Sequence, residues 1–259
     1  MQKVVIVTGA SSGIGLFTAK ALMHEGYIVY GIARNPGKEG FKCFQADVND
    51  TARLDEIFKE IYAKHKRIDV VINNAGMGIA GAVELASVER IEQIFNTNLI
   101  ALVKTSSLAI KYLKQTKGNL INISSVAGVL PIPFQTCYSA TKAGVLNFSL
   151  ALDGEVRRFG VKVTAILPGD TKTGFTKARI IEGDDADYGG KISRSIKRME
   201  KDEQSGKGPE FIAKKIVKVL RKRRPPLKVT PGGSYKLFVF LAKILPTRMI
   251  NFILRKLYA

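Results

Sequence analysis

Short apolar, β-branched runs recur along this chain with helical patterns between them, and that alternation limits the folds open to it. The runs lie near residues 4, 28, 42, 69, 119, 161 and 227. Each is too short for a buried helix and suits a strand covered on both faces. Strands alternating with helices build βαβ units and a parallel sheet, and right-handed crossovers put helices on both sides of it. The expected fold class is therefore α/β, with a doubly wound parallel sheet. At 259 residues the chain can bury a large core in one domain. Glycine and proline are spread out, and no repeat or low-complexity linker divides the chain. Residues 1–232 read as the α/β domain and 233–259 as a helical appendage. Val88 to Leu113 and Tyr138 to Phe159 read as long helices.

The chain opens KVVIVTGASSGIG. Val4 to Val7 suit a buried strand, and Leu16 to Glu25 read as a helix. Gly9, Gly13 and Gly15 lie between them in a G-x-x-x-G-x-G spacing. Strand, glycine turn and helix form the setting of a Rossmann-type dinucleotide site. Gly9 permits the tight turn, Gly13 lets backbone approach a pyrophosphate, and Gly15 allows close helix–strand packing. The helix N-terminus then offers free N–H groups and a favourable dipole to phosphate. A second strand, Tyr27 to Ala33, ends at Arg34, with Lys38 soon after. NAD-binding chains usually carry an acid there for the ribose 2′-hydroxyl. A guanidinium instead bonds a 2′-phosphate. NADP(H) is therefore favoured over NAD(H), the alternative being that Arg34 is a surface loop residue.

Ser125, Tyr138 and Lys142 stand in NISSVAGVLPIPFQTCYSATKAG, with thirteen and then four positions between them. Tyrosine and lysine four apart share a helix face. A free phenol has a pKa of about 10 and exchanges protons poorly near neutrality. A nearby ammonium lowers that value and makes tyrosine usable as a general acid or base. A serine hydroxyl beside it can hold a substrate oxygen. Taken alone, a YxxxK pattern is most often a polar helix start with a solvated lysine.

In order along the chain, these motifs resemble the short-chain dehydrogenase/reductase family, from Lys3 to about Thr173, with further helices and a strand to about Thr230. Thr8-Gly9-Ala10-Ser11-Ser12-Gly13-Ile14-Gly15 is similar to the family's cofactor turn, and Asp47-Val48 to its adenine-contacting pair. Asn73-Asn74-Ala75-Gly76 resembles the NNAG motif, and Asn98 the structural and catalytic asparagine. Ser125, Tyr138 and Lys142 match the catalytic trio. Pro168-Gly169, with Thr171 and Thr173 behind it, matches the turn beside the nicotinamide. Two departures stand out. Thr171 replaces a more usual aliphatic residue, and Ser12 stands where many NADP-preferring members have a basic residue. The resemblance implies hydride transfer between nicotinamide C4 and a carbonyl or secondary alcohol. Tyr138 is then the proton donor or acceptor. Lys142 lowers its pKa and bonds the nicotinamide ribose, Ser125 stabilises the carbonyl oxygen, and Asn98 holds a water that links Lys142 to solvent. It also implies a homodimer or homotetramer paired through the two long helices, and a mobile substrate lid over residues 174–208. By composition alone that stretch is equally well a surface loop.

The two histidines, His24 and His65, both read as exposed, and no His/Cys/Asp/Glu cluster has metal spacing. Cys43 and Cys137 have no CxxC pattern and read as reduced thiols. The first strand begins almost at Met1, which leaves no room for a signal peptide. The expectation is a cytoplasmic protein. Formal net charge is +19, yet no zinc finger, RNP-like motif or recognition helix points to specific nucleic acid. From Arg221 to Ala259 there is no Asp or Glu. Leu237, Phe240, Leu241, Ile244 and Leu245 recur at helical spacing; after Pro246, so do Met249, Ile250, Ile253 and Leu257. Basic amphipathic helices too short to span a bilayer suit peripheral membrane contact. Alternatively, they pack on the chain's own substrate pocket or on a partner subunit.

Met77, Ile79, Val126, Val129, Leu130, Ile132, Phe134 and Phe175 lie around the trio in sequence and suggest an apolar substrate pocket. With the apolar tail, they favour a lipophilic ketone or alcohol, as in hydroxysteroid and retinol dehydrogenase relatives. The enzymatic alternative is an acyl-thioester reductase meeting an acyl carrier protein. From another class, the alternatives are a non-catalytic dinucleotide-binding scaffold or a membrane adaptor.

Overall fold

Val4, Val5, Ile6 and Val7 are all fully buried, and their alternation divides the core in two. The computed structural model describes residues 2–37 and 40–259; Lys38 lies outside the described residues. Strand β1 (Val4–Thr8) leads into α1 (Gly13–His24), β2 (Ile28–Ala33), β3 (Lys42–Gln45), α2 (Thr51–His65), β4 (Val70–Asn73) and the short β5 (Ile79–Gly81). There follow α3 (Val88–Phe95), α4 (Ala101–Thr116), β6 (Asn119–Ile123), α5 (Thr136–Val156) and β7 (Lys162–Ile166). The chain closes with α6 (Phe175–Ala178), β8 (Ile180–Glu182), α7 (Lys191–Ser205), α8 (Pro209–Leu220), β9 (Lys228–Val229), α9 (Gly233–Ile244) and α10 (Thr247–Tyr258).

Seven strands form one parallel sheet in the order β3-β2-β1-β4-β6-β7-β9. All seven expected runs are strands of this sheet. Val4 and Ile6 join Phe58 of α2, Leu113 of α4 and Leu152 of α5 on one face. Val5 and Val7 join Ala19 and Leu22 of α1 and Ile212 and Ile216 of α8 on the other. A strand's side chains alternate between faces, so a run apolar at every position needs helices on both sides, as found here.

The helix expected over 88–113 is interrupted. Residues Asn96–Ile100 form a π-helical turn between α3 and α4, a local widening often found at functional sites. The stretch 174–208 is more ordered than its polar composition suggests. It holds α6, β8 and α7, and Ile192, Ile196 and Met199 of α7 pack with Ala80 and Ala82. β5 pairs with β8 in a small second sheet that no apolar run announced. His65, expected to be exposed, is half-buried, with its Nε2 2.7 Å from the Tyr30 hydroxyl. Burial and Lys64 push its pKa down.

Candidate active site

The strand order reverses between β1, which leads outward to β2 and β3, and β4, which leads outward to β6, β7 and β9. Open α/β sheets bind ligands at the carboxyl ends of strands at such a point. A cavity of about 640 Å³ lies here, lined by the loops that follow β1, β2, β3, β4, β6 and β7.

On one side, Gly9, Ser11, Ser12, Gly13 and Ile14 line the wall at the start of α1. Ser12 is extended and makes no side-chain cap, and the first turn of α1 carries no acid. The helix terminus is therefore suited to an anion. Gly15 does not line the cavity; it sits behind the turn. A Cβ there would lie 2.2 Å from the Gly9 carbonyl oxygen and 2.4 Å from Asn74 Nδ2, so only glycine fits. Asn74 ties this turn to β4. Its Nδ2 donates to the Thr8 and Gly9 carbonyls at 3.0 and 3.1 Å. In return, Thr8 Oγ1 accepts from the Asn74 and Ala75 amides at 3.0 and 3.1 Å.

Arg34, at the carboxyl end of β2, is exposed and borders the same cavity, as do Asp47 and Val48. The Asp47 carboxylate accepts from the backbone and side-chain N–H groups of Asn49, each at 2.8 Å. Asn74, Ala75, Gly76, Pro168, Gly169, Thr171 and Thr173 complete this half. Thr171 donates to the Gly169 carbonyl at 2.9 Å, which holds the turn closed. Thr173 accepts from the Phe175 amide at 3.2 Å. A glycine-walled helix terminus beside an exposed arginine fits the phosphates of a dinucleotide.

In the other half, Ser125, Tyr138 and Lys142 face one space. Ser125 caps a short 3₁₀ turn, its hydroxyl accepting from the Ala127 amide at 3.1 Å. Tyr138 and Lys142 lie one turn apart near the start of α5. The Lys142 ammonium donates to the Ile123 carbonyl at 3.0 Å and lies 5.7 Å from the centre of the Tyr138 ring. Burial lowers its pKa to about 8. Burial raises that of Tyr138 to about 12, although hydrogen bonding with Ser125 draws it partly back. Among the protein groups alone, the net shift of the phenol is upward, opposite in direction to the lowering expected from Lys142. Desolvation is the largest influence on the phenol, and the amine is itself desolvated.

Asn98 lies in the π-helical turn, fully buried and behind the cavity wall. It clamps the Met77 backbone, accepting from its amide at 2.8 Å and donating to its carbonyl at 2.9 Å. Beneath the site, Asn73 Nδ2 donates to Ser106 Oγ and Asn122 Oδ1, and Asn122 Nδ2 donates to Ser149 Oγ, each at 2.9 Å. This buried chain joins β4 and β6 to α4 and α5. Asn73 and Asn122 fall in stretches quoted from the sequence, whereas Ser106 and Ser149 do not.

Of the eight apolar residues expected around the substrate, Met77, Val126, Ile132 and Phe175 line the cavity. Ile79 is buried in β5, Phe134 packs toward α7, and Val129 packs against another core cluster; Leu130 also stays off the wall. In their place the fold brings Asp170, Met199 and Glu203 to the cavity, together with Tyr258 from the end of the chain. Glu203 pairs with the buried Arg179 and accepts from Thr176 at 2.5 Å. Burial raises the pKa of both Asp170 and Glu203. Among the described residues, no group of three His, Cys, Asp or Glu could hold a metal ion.

A parallel sheet of this order, with a glycine turn at its switch point and a Ser/Tyr/Lys set beside it, defines a dinucleotide-dependent oxidoreductase. The family model for short chain dehydrogenases matches residues 3–182, and the chain belongs to that family. It is 38% identical to a 3-ketodihydrosphingosine reductase of Bacteroides thetaiotaomicron, over 99% of this chain and 98% of that one. A short-chain dehydrogenase of Streptomyces avermitilis superposes with a TM-score of 0.83 at 28% identity, covering 92% of this chain and 91% of the other. The structure of ElxO with NADP bound gives a TM-score of 0.76 at 25% identity, covering 92% of this chain and all of that one.

Proposed function

We propose that this chain is an NADP(H)-dependent reductase of a lipophilic 3-oxo compound with an amino group beside the carbonyl. One observation carries the reaction: Ser125, Tyr138 and Lys142 share a single cavity with the glycine turn and Arg34. Ser11, Ser12, Gly13 and Ile14 hold the pyrophosphate, Arg34 the 2′-phosphate, and Asp47 and Val48 the adenine. Asn74, Ala75, Gly76, Pro168, Gly169, Thr171 and Thr173 wall the nicotinamide half. The bound dinucleotide supplies the hydride.

Ser125 donates to the carbonyl oxygen and stabilises its developing charge. Tyr138 gives the proton to that oxygen. A phenol held near 12 stays protonated at neutral pH, which is the state that reduction requires. Lys142, near 8, is mostly charged at neutral pH and favours the phenolate that forms as the proton leaves. Asn98 positions the loop of Met77 and the backbone facing Lys142.

Three features support the substrate class. The substrate half of the cavity carries two carboxylates, Asp170 and Glu203, in a chain of net charge +19. Arg179 neutralises Glu203, which leaves Asp170 to receive an ammonium. Met77, Ile132, Phe175, Ile180 and Met199 offer apolar wall, and the 38% identical relative bears the name of a reductase of a long-chain amino ketone. Residues 174–208 serve as the substrate cover. In this reading the chain works in the cytoplasm as a homodimer or homotetramer paired through α3–α4 and α5.

The test is NADPH consumption over a panel containing a long-chain 2-amino-3-ketone, its deaminated analogue, a 3-oxoacyl thioester and a sterol ketone. The amino ketone should be turned over fastest, and Tyr138→Phe should abolish turnover while NADPH still binds. Faster reduction of the thioester would favour an acyl-thioester reductase. Absence of any Tyr138-dependent turnover would favour a non-catalytic dinucleotide-binding scaffold.

A further inference from the structure

Eight of the sixteen large apolar residues exposed among the described residues fall within α9 and α10. Leu237, Phe240 and Ile244 recur along α9 at 54, 57 and 60% exposure, and Met249, Phe252 and Ile253 along α10 at 42, 52 and 43%. Such density exceeds what single scattered surface apolars explain. No helix is long and apolar enough to cross a membrane among the described residues.

The charge beside these faces has one sign. Lys236, Lys243, Arg248, Arg255 and Lys256 are exposed, and no acid occurs from Arg221 to the end of the chain. Arg255 and Lys256 both reach over the exposed Phe252 ring, at 6.0 and 5.8 Å. An aromatic ring that enters an interface with cations beside it suits lipid headgroups, where long basic side chains keep their charge in water.

The opposite faces of these helices belong to the active site. Val239 and Leu254 are buried. Tyr258 lines the cavity and donates to Asp202 of α7 at 3.3 Å. Tyr235 donates to Asp170 at 2.5 Å, and its ring fills the space where a Cβ on Gly169 would stand, 2.4 Å away. The appendage thus walls the cavity on one side and leaves unpartnered apolar faces on the other.

We propose that α9 and α10 dock on an anionic bilayer and hold the cavity at its surface, so that a membrane-dissolved substrate reaches Tyr138 without crossing bulk water. The substrate half of this inference rests on the lipophilic substrate proposed above; the docking half does not. The occupant is an anionic bilayer because it combines apolar depth with negative charge across both helices.

Cosedimentation of the full chain with vesicles tests docking without any activity. Binding to equimolar phosphatidylcholine and phosphatidylglycerol should exceed binding to phosphatidylcholine alone by about tenfold or more and fall with added salt. Phe240→Glu with Phe252→Glu should lose it, and Lys236→Glu with Arg248→Glu, which changes only exposed charges, should weaken it. Both variants should still reduce a short, soluble ketone at the wild-type rate. Equal recovery in the supernatant with and without anionic vesicles overturns docking. So does a native mass that halves in Phe240→Glu, which would mean that a second copy covers the face. If the wild type pellets but reduces a vesicle-dissolved long-chain ketone no faster than Phe240→Glu with Phe252→Glu, the delivery role fails. An inactive wild type that still pellets leaves docking standing and removes the reductase reading.

Discussion

The Tyr235 hydroxyl donates to Asp170 Oδ2 at 2.5 Å and ties the first turn of α9 to the loop after Pro168-Gly169. Burial and this bond raise the pKa of the tyrosine, and burial raises that of the aspartate. Tyr235→Phe leaves a carboxylate in the cavity wall without its donor. Since a hydrogen bond to a charged group is worth about 1.5–3 kcal/mol, the variant should lose about that much stability in urea melts. Asp170→Asn should instead raise KM for an amino ketone while leaving KM for its deaminated analogue unchanged. Equal effects on both would refute an ammonium contact.

Tyr138→Phe removes the proposed proton donor and keeps the ring, including its packing 5.7 Å from Phe175. General acid catalysis contributes about 10²–10⁴-fold, so kcat should fall by at least that factor. NADPH affinity, followed by fluorescence titration, should change little.

The buried amine and phenol predict opposite pH slopes. Lys142 has a pKa of about 8 against an ordinary 10.5. Between those values the unfolded chain binds more protons, so its contribution to stability rises with pH. Tyr138, at about 12 against 10.0, holds a proton that the unfolded chain has lost. Its contribution is complete below pH 10 and falls as pH rises toward 12. Urea midpoints for the wild type minus those for Lys142→Met should therefore climb from pH 8 to pH 10. A flat difference would mean that Lys142 is not desolvated.

Gly15→Ala places a methyl group 2.2 Å from the Gly9 carbonyl oxygen. That atom is backbone and cannot swing aside. Overpacking of this kind costs about 1–3 kcal/mol, and the displaced turn should lose dinucleotide affinity. A thermal melt with and without NADPH separates the two effects.

Arg34→Glu should reverse cofactor choice, because an acid repels a 2′-phosphate and bonds a 2′-hydroxyl. The ratio of NADH to NADPH dissociation constants measures it. A wild-type ratio of about two or less would show that Arg34 makes no phosphate contact.

Much of the site could be read before folding because its motifs are local. Gly9, Gly13 and Gly15 belong to one turn, and Tyr138 and Lys142 to one helical turn. The half of the pocket beyond them was legible only in part: Met77, Val126, Ile132 and Phe175 line it as expected, whereas its other wall residues were not foreseen. Met199 and Glu203 lie on a helix whose residues are mostly polar, and Tyr258 is second from the end of the chain. Nothing in their local pattern reports proximity to Tyr138. Ile79 and Phe134 failed as wall residues for the same reason: being near in sequence does not fix the direction in which a side chain points.

The seven strands of the main sheet, the glycine turn and the Tyr138–Lys142 spacing follow from the amino-acid sequence alone, because periodicity and short-range sterics act over a few residues. The sign of the tyrosine's pKa shift, the acid at the far wall and the two-sided role of the C-terminal helices came only with tertiary structure. Desolvation and contact depend on what the whole chain packs around a group, and that environment is assembled from distant segments, with Gly9, Tyr138 and Tyr258 in the wall of one cavity.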